Sequence, residues 1–252
     1  MARPEVALFA TCLVDLFRPT IGYAAAQLIA DCGAEVVVPP GQTCCGQPAY
    51  NSGDRERAQR LARQNIELLE PFDRVVVPSG SCAGMIRVHY PALFADQPEL
   101  AERARALSLR VEELSCFLCE RGARVTVSLP APLRATYHDS CSGLRELGIK
   151  EQPRRLLAQV GGLELVEMRE CESCCGFGGT FCVKYPEIST RMVDEKVARI
   201  RESGAELVLA GDLGCLMNIA GRLRRSGSGV EVRHYAEVLA GRLDRPPIAG
   251  AG

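Results

Sequence analysis

The chain has 252 residues, 47% hydrophobic and 24% charged, proportions that allow a sizeable core and exclude long intrinsic disorder. Its 30 basic and 31 acidic side chains give a formal charge of −1, so no basic footprint points to nucleic acid or an acidic membrane surface. Tryptophan is absent and aromatics are 5%, which leaves little surface for base stacking. The longest charge-free apolar run of the first half, 21–30, is ten residues, short of the about 20 that cross a bilayer. The first residues lack the apolar core of a secretory signal. A cytoplasmic chain without a membrane-spanning segment is expected.

In chain order, 5–10 (EVALFA) predicts a strand, followed by Cys12. Pro19 opens a helix that runs to about Ala30 and ends before Gly33. Residues 35–39 (EVVVP) form the next predicted strand, and the Gly-rich turn after it carries Cys44 and Cys45. Residues 54–70 predict a helix with Ala58, Leu61, Ala62, Asn65, Leu68 and Leu69 on its inner stripe. Pro71 stops it, 74–78 (RVVVP) is a third strand, and Cys82 falls in the following turn. Residues 121–133, with Pro130 and Pro132, read as an extended connector. Beyond it, strands at 135–138, 162–168 and 206–210 lead to Cys141, to Cys174 and Cys175, and to Cys215. Residues 244–252 read as a flexible tail.

The two series are copies. TCCGQPAYNSGD (43–54) is echoed by SCCGFGGTFCVK (173–184), and VVVPSGSCAGMI (75–86) by LVLAGDLGCLMNI (207–219). Setting Cys141 against Cys12, Cys174 against Cys44 and Cys215 against Cys82 gives offsets of 129, 130 and 133. A tandem duplication explains three features in one order at nearly one spacing. Short Val-rich strands alternating with helices indicate an α/β fold of two pseudo-equivalent βαβ-type domains with mostly parallel sheets. The expected domains are 1–128 and 129–243. All these cysteines follow strand C-termini, which line one edge of a parallel sheet, where ligand sites gather. Cys12, Cys44, Cys45 and Cys82 are expected to meet at one site, and Cys141, Cys174, Cys175 and Cys215 at a second.

Thirteen cysteines in a chain of this length are too many to be small core hydrophobes alone, and a reducing cytosol disfavours disulfides. Four thiolates per half suit zinc or an iron–sulfur cluster. Zinc knuckles use C-x₂₋₄-C spacing, whereas adjacent cysteines aim their side chains apart and suit an object with several metal atoms. Glycines after each pair let backbone approach that object. His138 and Asp139 precede Cys141; an imidazole there offers a hydrogen bond, a proton or a ligand in place of a thiolate, and a satisfied structural histidine is the equal alternative. Cys32, Cys116, Cys119, Cys171 and Cys182 fall outside the repeat, and their roles stay open.

The pattern C-x₃₁-CCG-x₃₅-C followed by C-x₃₂-CCG-x₃₈-C resembles a duplicated cysteine-rich CCG domain. With CCGFGGTF (174–181), GSCAGMI (80–86) and GDLGCLMNI (211–219), it resembles the lactate utilization protein A (LutA/YkgE) family. The iron–sulfur component of glycolate oxidase and the CCG component of heterodisulfide reductase are relatives of that family. The resemblance implies an iron–sulfur electron-transfer subunit in non-flavin oxidation of L-lactate to pyruvate, working with LutB-like and LutC-like partners. It implies the eight repeat cysteines as ligands of one or two clusters per chain, of [4Fe–4S] type. The fuller CCG pattern ends in C-x-x-C, and here Met85 and Asn218 stand at its last position. The alternatives are a heterodisulfide-reductase-like thiol–disulfide reductase and a zinc-stabilised, non-catalytic scaffold.

Overall fold

The computed structural model describes residues 3–249. The chain divides into two units, Met1–Ala123 and Arg124–Gly252. The first runs β1 (Glu5–Leu8), α1 (Cys12–Phe17), α2 (Pro19–Asp31), β2 (Glu35–Val37), α3 (Gln47–Asn51), α4 (Arg55–Leu69), β3 (Val75–Val77) and α5 (Gly80–Gly84). A π-helical turn, Met85–His89, then leads to α6 (Tyr90–Leu93), α7 (Pro98–Ser108), β4 (Val111–Glu113) and α8 (Leu114–Glu120). The second runs β5 (Ser128–Tyr137), α9 (Cys141–Leu147), α10 (Glu151–Leu157), β6 (Gly161–Leu165), α11 (Phe181–Lys184), α12 (Pro186–Glu202), β7 (Leu207–Ala210), α13 (Leu213–Arg225), β8 (Glu231–His234) and α14 (Tyr235–Leu239).

Each unit is built on a four-stranded sheet, ordered β2-β1-β3-β4 in the first and β6-β5-β7-β8 in the second. Every pairing is parallel, so the fold is α/β as the alternation of strands and helices predicts. Helices cover both faces of such a sheet, which is why its central strands are continuous apolar runs. Val75, Val76 and Val77 are all buried, as are Leu207, Val208, Leu209 and Ala210.

The helix α4 shows how the sequence chooses its buried face. Asp54 caps it by accepting from the Arg57 N–H at 3.1 Å. Its buried stripe is Ala58, Ala62, Asn65, Ile66 and Leu69, with Leu61 and Leu68 at the margin. Each large apolar residue on that stripe stabilises the unit by roughly 1.5–3 kcal/mol. In the second unit, α12 buries Ser189, Val193, Lys196, Val197 and Ile200, so Lys196 stands where α4 has Asn65.

Several boundaries differ from the sequence reading. The strands are shorter: β1 stops at Leu8 and β2 at Val37. Cys82 and Cys215 sit not in turns but as third residues of α5 and α13. Residues 128–133, read as connector, are the first half of β5. Its ladder to β6 shifts register between Ser128 and Leu133, and Pro130 and Pro132 fall inside that irregularity, where a missing N–H is tolerated. The division between units therefore lies N-terminal to the 128/129 boundary drawn from the sequence. In the segment read as a tail, the Ile248 N–H donates to the Val232 carbonyl at 2.9 Å, and Arg233 donates to the Arg245 carbonyl at 2.8 Å. Residues 250–252 of that segment lie outside the described residues. Among the described residues, no helix is long and apolar enough to cross a membrane.

Candidate metal centres

In each unit the strand order reverses between the first and third strands, which opens a crevice at the C-terminal edge of the sheet. Cys12 and Cys82 leave the two strands that flank this crevice in the first unit, and Cys141 and Cys215 do so in the second. Cys12 begins α1, and the Thr11 side chain before it accepts from the Val14 N–H at 3.4 Å. Cys141 begins α9, and there Ser140 accepts from the Gly143 N–H at 3.3 Å. The adjacent pairs come from the loops after β2 and β6.

Those loops are held by backbone recognition. Asn65 donates to the Cys44 carbonyl at 3.0 Å, and the Tyr90 hydroxyl donates to the Cys45 carbonyl at 2.8 Å. In the second unit Asn218 donates to the Cys175 carbonyl at 2.8 Å, the service that Tyr90 performs in the first. Buried Lys196 donates from Nζ to the carbonyls of Glu170 (2.7 Å) and Cys171 (3.1 Å), fixing a segment whose Glu170 has φ 55°. Gly46 and Gly176 follow the pairs with φ of 89° and 80°, a backbone region that favours glycine. A Cβ on Gly176 would lie 2.7 Å from the Ser189 carbonyl oxygen. This conformation turns the Gly46 N–H onto Cys44 Sγ and the Gly176 N–H onto Cys174 Sγ, each at 3.4 Å.

The eight repeat cysteines form two groups. In the first, Cys12 is hydrogen-bonded to Cys44, Cys44 to Cys45, and Cys45 to Cys82. In the second the same chain runs Cys141, Cys174, Cys175, Cys215. Hydrogen bonds from the Cys12 and Cys45 thiols, aided by the Gly46 N–H, hold Cys44 down at about 3 against the effect of burial. The matching bonds from Cys141, Cys175 and Gly176 hold Cys174 at about 2. Cys12, Cys45, Cys141 and Cys175 are pushed up, first by those same bonds and then by burial. As free thiols, each group thus shares one central thiolate.

The groups are not equal. In the second, a ring nitrogen of His138 and the sulfurs of Cys175 and Cys215 lie within 4.8 Å of one another, all buried. Both His138 nitrogens are buried without a hydrogen-bond partner. The Cys171 carbonyl beside the ring already accepts from Lys196 and from the Asp139 N–H. Burial, and next the charge of Lys196, lower His138 to about 3, so its imidazole is neutral. Asp139 beside it is clamped by Arg154 through two bonds of 2.8 and 2.9 Å. The soft-donor chemistry and the orphaned imidazole fit a metal. This cluster of cysteine and histidine can bind one.

The other cysteines lie elsewhere. Cys116 and Cys119 are on α8, and burial pushes Cys116 up to about 12. Cys32 caps the C-terminus of α2. Cys171 and Cys182 flank the second pair, and Cys182 donates to the Gly179 carbonyl at 3.6 Å. None of the thirteen forms a disulfide. Sequence reasoning missed Tyr90 and Lys196, and it picked out Asn218 at the last C-x-x-C position without its bond to the Cys175 carbonyl. The signal for Lys196 was present: a lysine on the apolar stripe of α12, in register with Asn65. Tyr90 acts on a backbone carbonyl and leaves no motif.

Fold and thiol groups together define a protein of two tandem cysteine-rich domains, and the CCG cysteine-rich domain matches at residues 6–87 and 135–220. Lactate utilization protein A 2 of Bacillus cereus is 46% identical over 96% of this chain and 100% of its own length. Lactate utilization protein A of an Exiguobacterium species is 48% identical over 94% of this chain and 97% of its own. The chain belongs to the lactate utilization protein A family. A hypothetical protein of Helicobacter pylori shares the fold with a TM-score of 0.65 at 12% identity, over 97% of this chain and half (50%) of that one.

Proposed function

We propose that this chain acts in lactate utilization as the iron–sulfur electron-transfer subunit of an L-lactate-oxidising system. The observation that carries the reading is the repeated gathering of four thiols, with the Gly46 N–H turned onto Cys44 Sγ and the Gly176 N–H onto Cys174 Sγ, each at 3.4 Å. Cys12, Cys44, Cys45 and Cys82 would hold one cluster, and Cys141, Cys174, Cys175 and Cys215 a second. A [4Fe–4S] cluster, when bound, supplies reversible one-electron transfer. The chain's own groups prepare that site. Central thiolates would present charge to iron, Gly46 and Gly176 donate N–H groups toward sulfur, and buried Asn65 and Tyr90 with half-buried Asn218 keep the paired cysteines in place.

Conversion of L-lactate to pyruvate releases two electrons and two protons. The chain would receive those electrons one at a time from a lactate-binding partner and pass them to a further carrier. LutB-like and LutC-like proteins, named by the family resemblance, are the proposed partners. The setting would be the cytoplasm, where thiols stay reduced.

Anaerobic purification with those partners, followed by iron and acid-labile sulfide analysis, tests the reading. About four iron and four sulfide per occupied half are expected, with lactate-driven bleaching of the visible absorption. Cys45→Ser and Cys175→Ser should each lower iron and sulfide in their own half. Unchanged content in both variants, or zinc without sulfide, would remove the assignment.

A further inference from the structure

The duplication supplies an internal control for the second centre. The His138 N–H donates to the Leu209 carbonyl at 2.8 Å, and the Phe9 N–H donates to the Val76 carbonyl at 2.9 Å. Both residues thus leave the central strand of their sheet at the same ladder position, three residues before the cysteines that open α9 and α1. Both side chains are fully buried. One copy places an inert phenyl ring there, and the other places an imidazole beside two buried sulfurs.

Burying an imidazole with both nitrogens unpartnered is unfavourable. Phenylalanine at the matching position demonstrates that the fold accepts an apolar ring without that cost. The residues around His138 do not repay it through hydrogen bonds. Asp139, the nearest carboxylate along the chain, is occupied by Arg154, and the Cys171 carbonyl is occupied by Lys196. His234, the other buried histidine, accepts from the Ala236 N–H at 3.2 Å and caps α14. An imidazole nitrogen can offer its lone pair to a metal, and neither His138 nitrogen is taken by a hydrogen bond.

We infer that His138 is a nitrogen ligand of the second metal centre, acting with Cys175 and Cys215, so that the chain carries one all-thiolate centre and one mixed thiolate–imidazole centre. This rests on the iron–sulfur reading above and deepens it. In that centre the ring nitrogen takes the place of one of the four thiolates, which stays a thiol: a nitrogen–iron bond forms where a thiolate–iron bond would have been, with no change of oxidation state. An imidazole in place of a thiolate makes the centre less negative by one charge, and histidine ligation raises the potential of iron–sulfur centres. The second centre is therefore the more easily reduced of the two.

The test uses the full chain, labelled with ¹⁵N-histidine, loaded anaerobically with iron and sulfide, and reduced for pulsed electron-paramagnetic-resonance measurement of nitrogen couplings. Iron and sulfide are assayed in the same sample. A strong ¹⁵N coupling is expected. It should vanish in His138→Phe, which copies the first unit, and persist in His89→Gln. The reductive titration of the wild type should show two potentials, with the higher shifted or lost in His138→Phe. Full iron and sulfide without ¹⁵N coupling in the wild type would overturn the ligand and leave the iron–sulfur reading standing. Absence of sulfide-containing clusters would overturn both. The wild-type measurement decides even if the variant folds poorly.

Discussion

At the scale of single residues, the two centres are shaped as much by what grips the cysteine backbone as by the thiols. Tyr90 is buried, takes a hydrogen bond from Asn65 at 3.1 Å and gives one to the Cys45 carbonyl at 2.8 Å. Tyr90→Phe leaves that carbonyl and the Asn65 amide short of a partner, so a loss of about 1–3 kcal/mol is expected in urea unfolding of the metal-free chain. An unchanged midpoint would show that water takes over both bonds. The central thiolates make a second prediction, for the chain freed of metal by chelation. Ordinary thiols gain about tenfold in thiolate per pH unit below their pKa, so their alkylation accelerates with pH. Cys44 and Cys174, held at about 3 and about 2, remain thiolates across the neutral range. Their alkylation rates, read by peptide mass spectrometry between about pH 5 and 8, should be flat, while Cys116, held up at about 12, should rise throughout. The slope is the test, because nucleophilicity falls as pKa falls. A tenfold rise per unit at Cys44 would contradict the arrangement. The thiol constellation was legible in the sequence because duplication repeats it at one spacing. The grip was not, since Tyr90 acts on a carbonyl from a position that no spacing rule singles out, and the C-x-x-C spacing that marks Asn218 speaks of a ligand and not of a bond to a carbonyl.

At the scale of elements, the sequence revealed the strands that carry cysteines and missed those that do not. The central strands are uninterrupted apolar runs, because a parallel sheet buries both faces. The edge strands β4 and β8 read VEE and EVRH, too short and too charged to show a period. The prolines of β5 read as connector because pairing tolerates them only at its irregularity. The copies also repack differently where α5 and α13 meet the cysteine loops. In the first unit Gln47 donates to the Ser81 carbonyl at 3.3 Å. At the matching places the second unit has Phe177 and Gly214, and a Cβ on Gly214 would fall 2.3 Å from the Phe177 ring. Glycine here makes room for a ring edge. Gly214→Ser alone should destabilise the chain by about 1–3 kcal/mol through overpacking. Adding Phe177→Gln, which reproduces the first unit's pair, should recover much of that loss, a coupling that a double-mutant cycle measures. Additive losses would mean that the two positions are independent.

At the scale of the whole molecule, the repeat of about 130 residues that the cysteine spacing reveals corresponds to two separate parallel sheets. Each unit has its own apolar central strands and its own stripe-bearing helix, so neither needs a strand from the other to close its core. The segment between α8 and β5 carries little of that burden. Arg121, Gly122 and Arg124 are exposed, and Gly122 has φ 63°. The nearest anchor on its far side is the Val125 N–H, which donates to Gln159 Oε1 at 3.0 Å. Exposed chain with few anchoring bonds is where proteases act first. Brief trypsin treatment of the native chain should therefore cut at Arg121 or Arg124 and yield two fragments of nearly equal length. The arginines of α4, α12 and α13 should be spared, because the peptide bonds around them are tied into helices packed on the sheets. First cuts inside those helices would mean that one unit opens before the connector does. The two copies would then differ in folding stability as well as in the donors that line their centres.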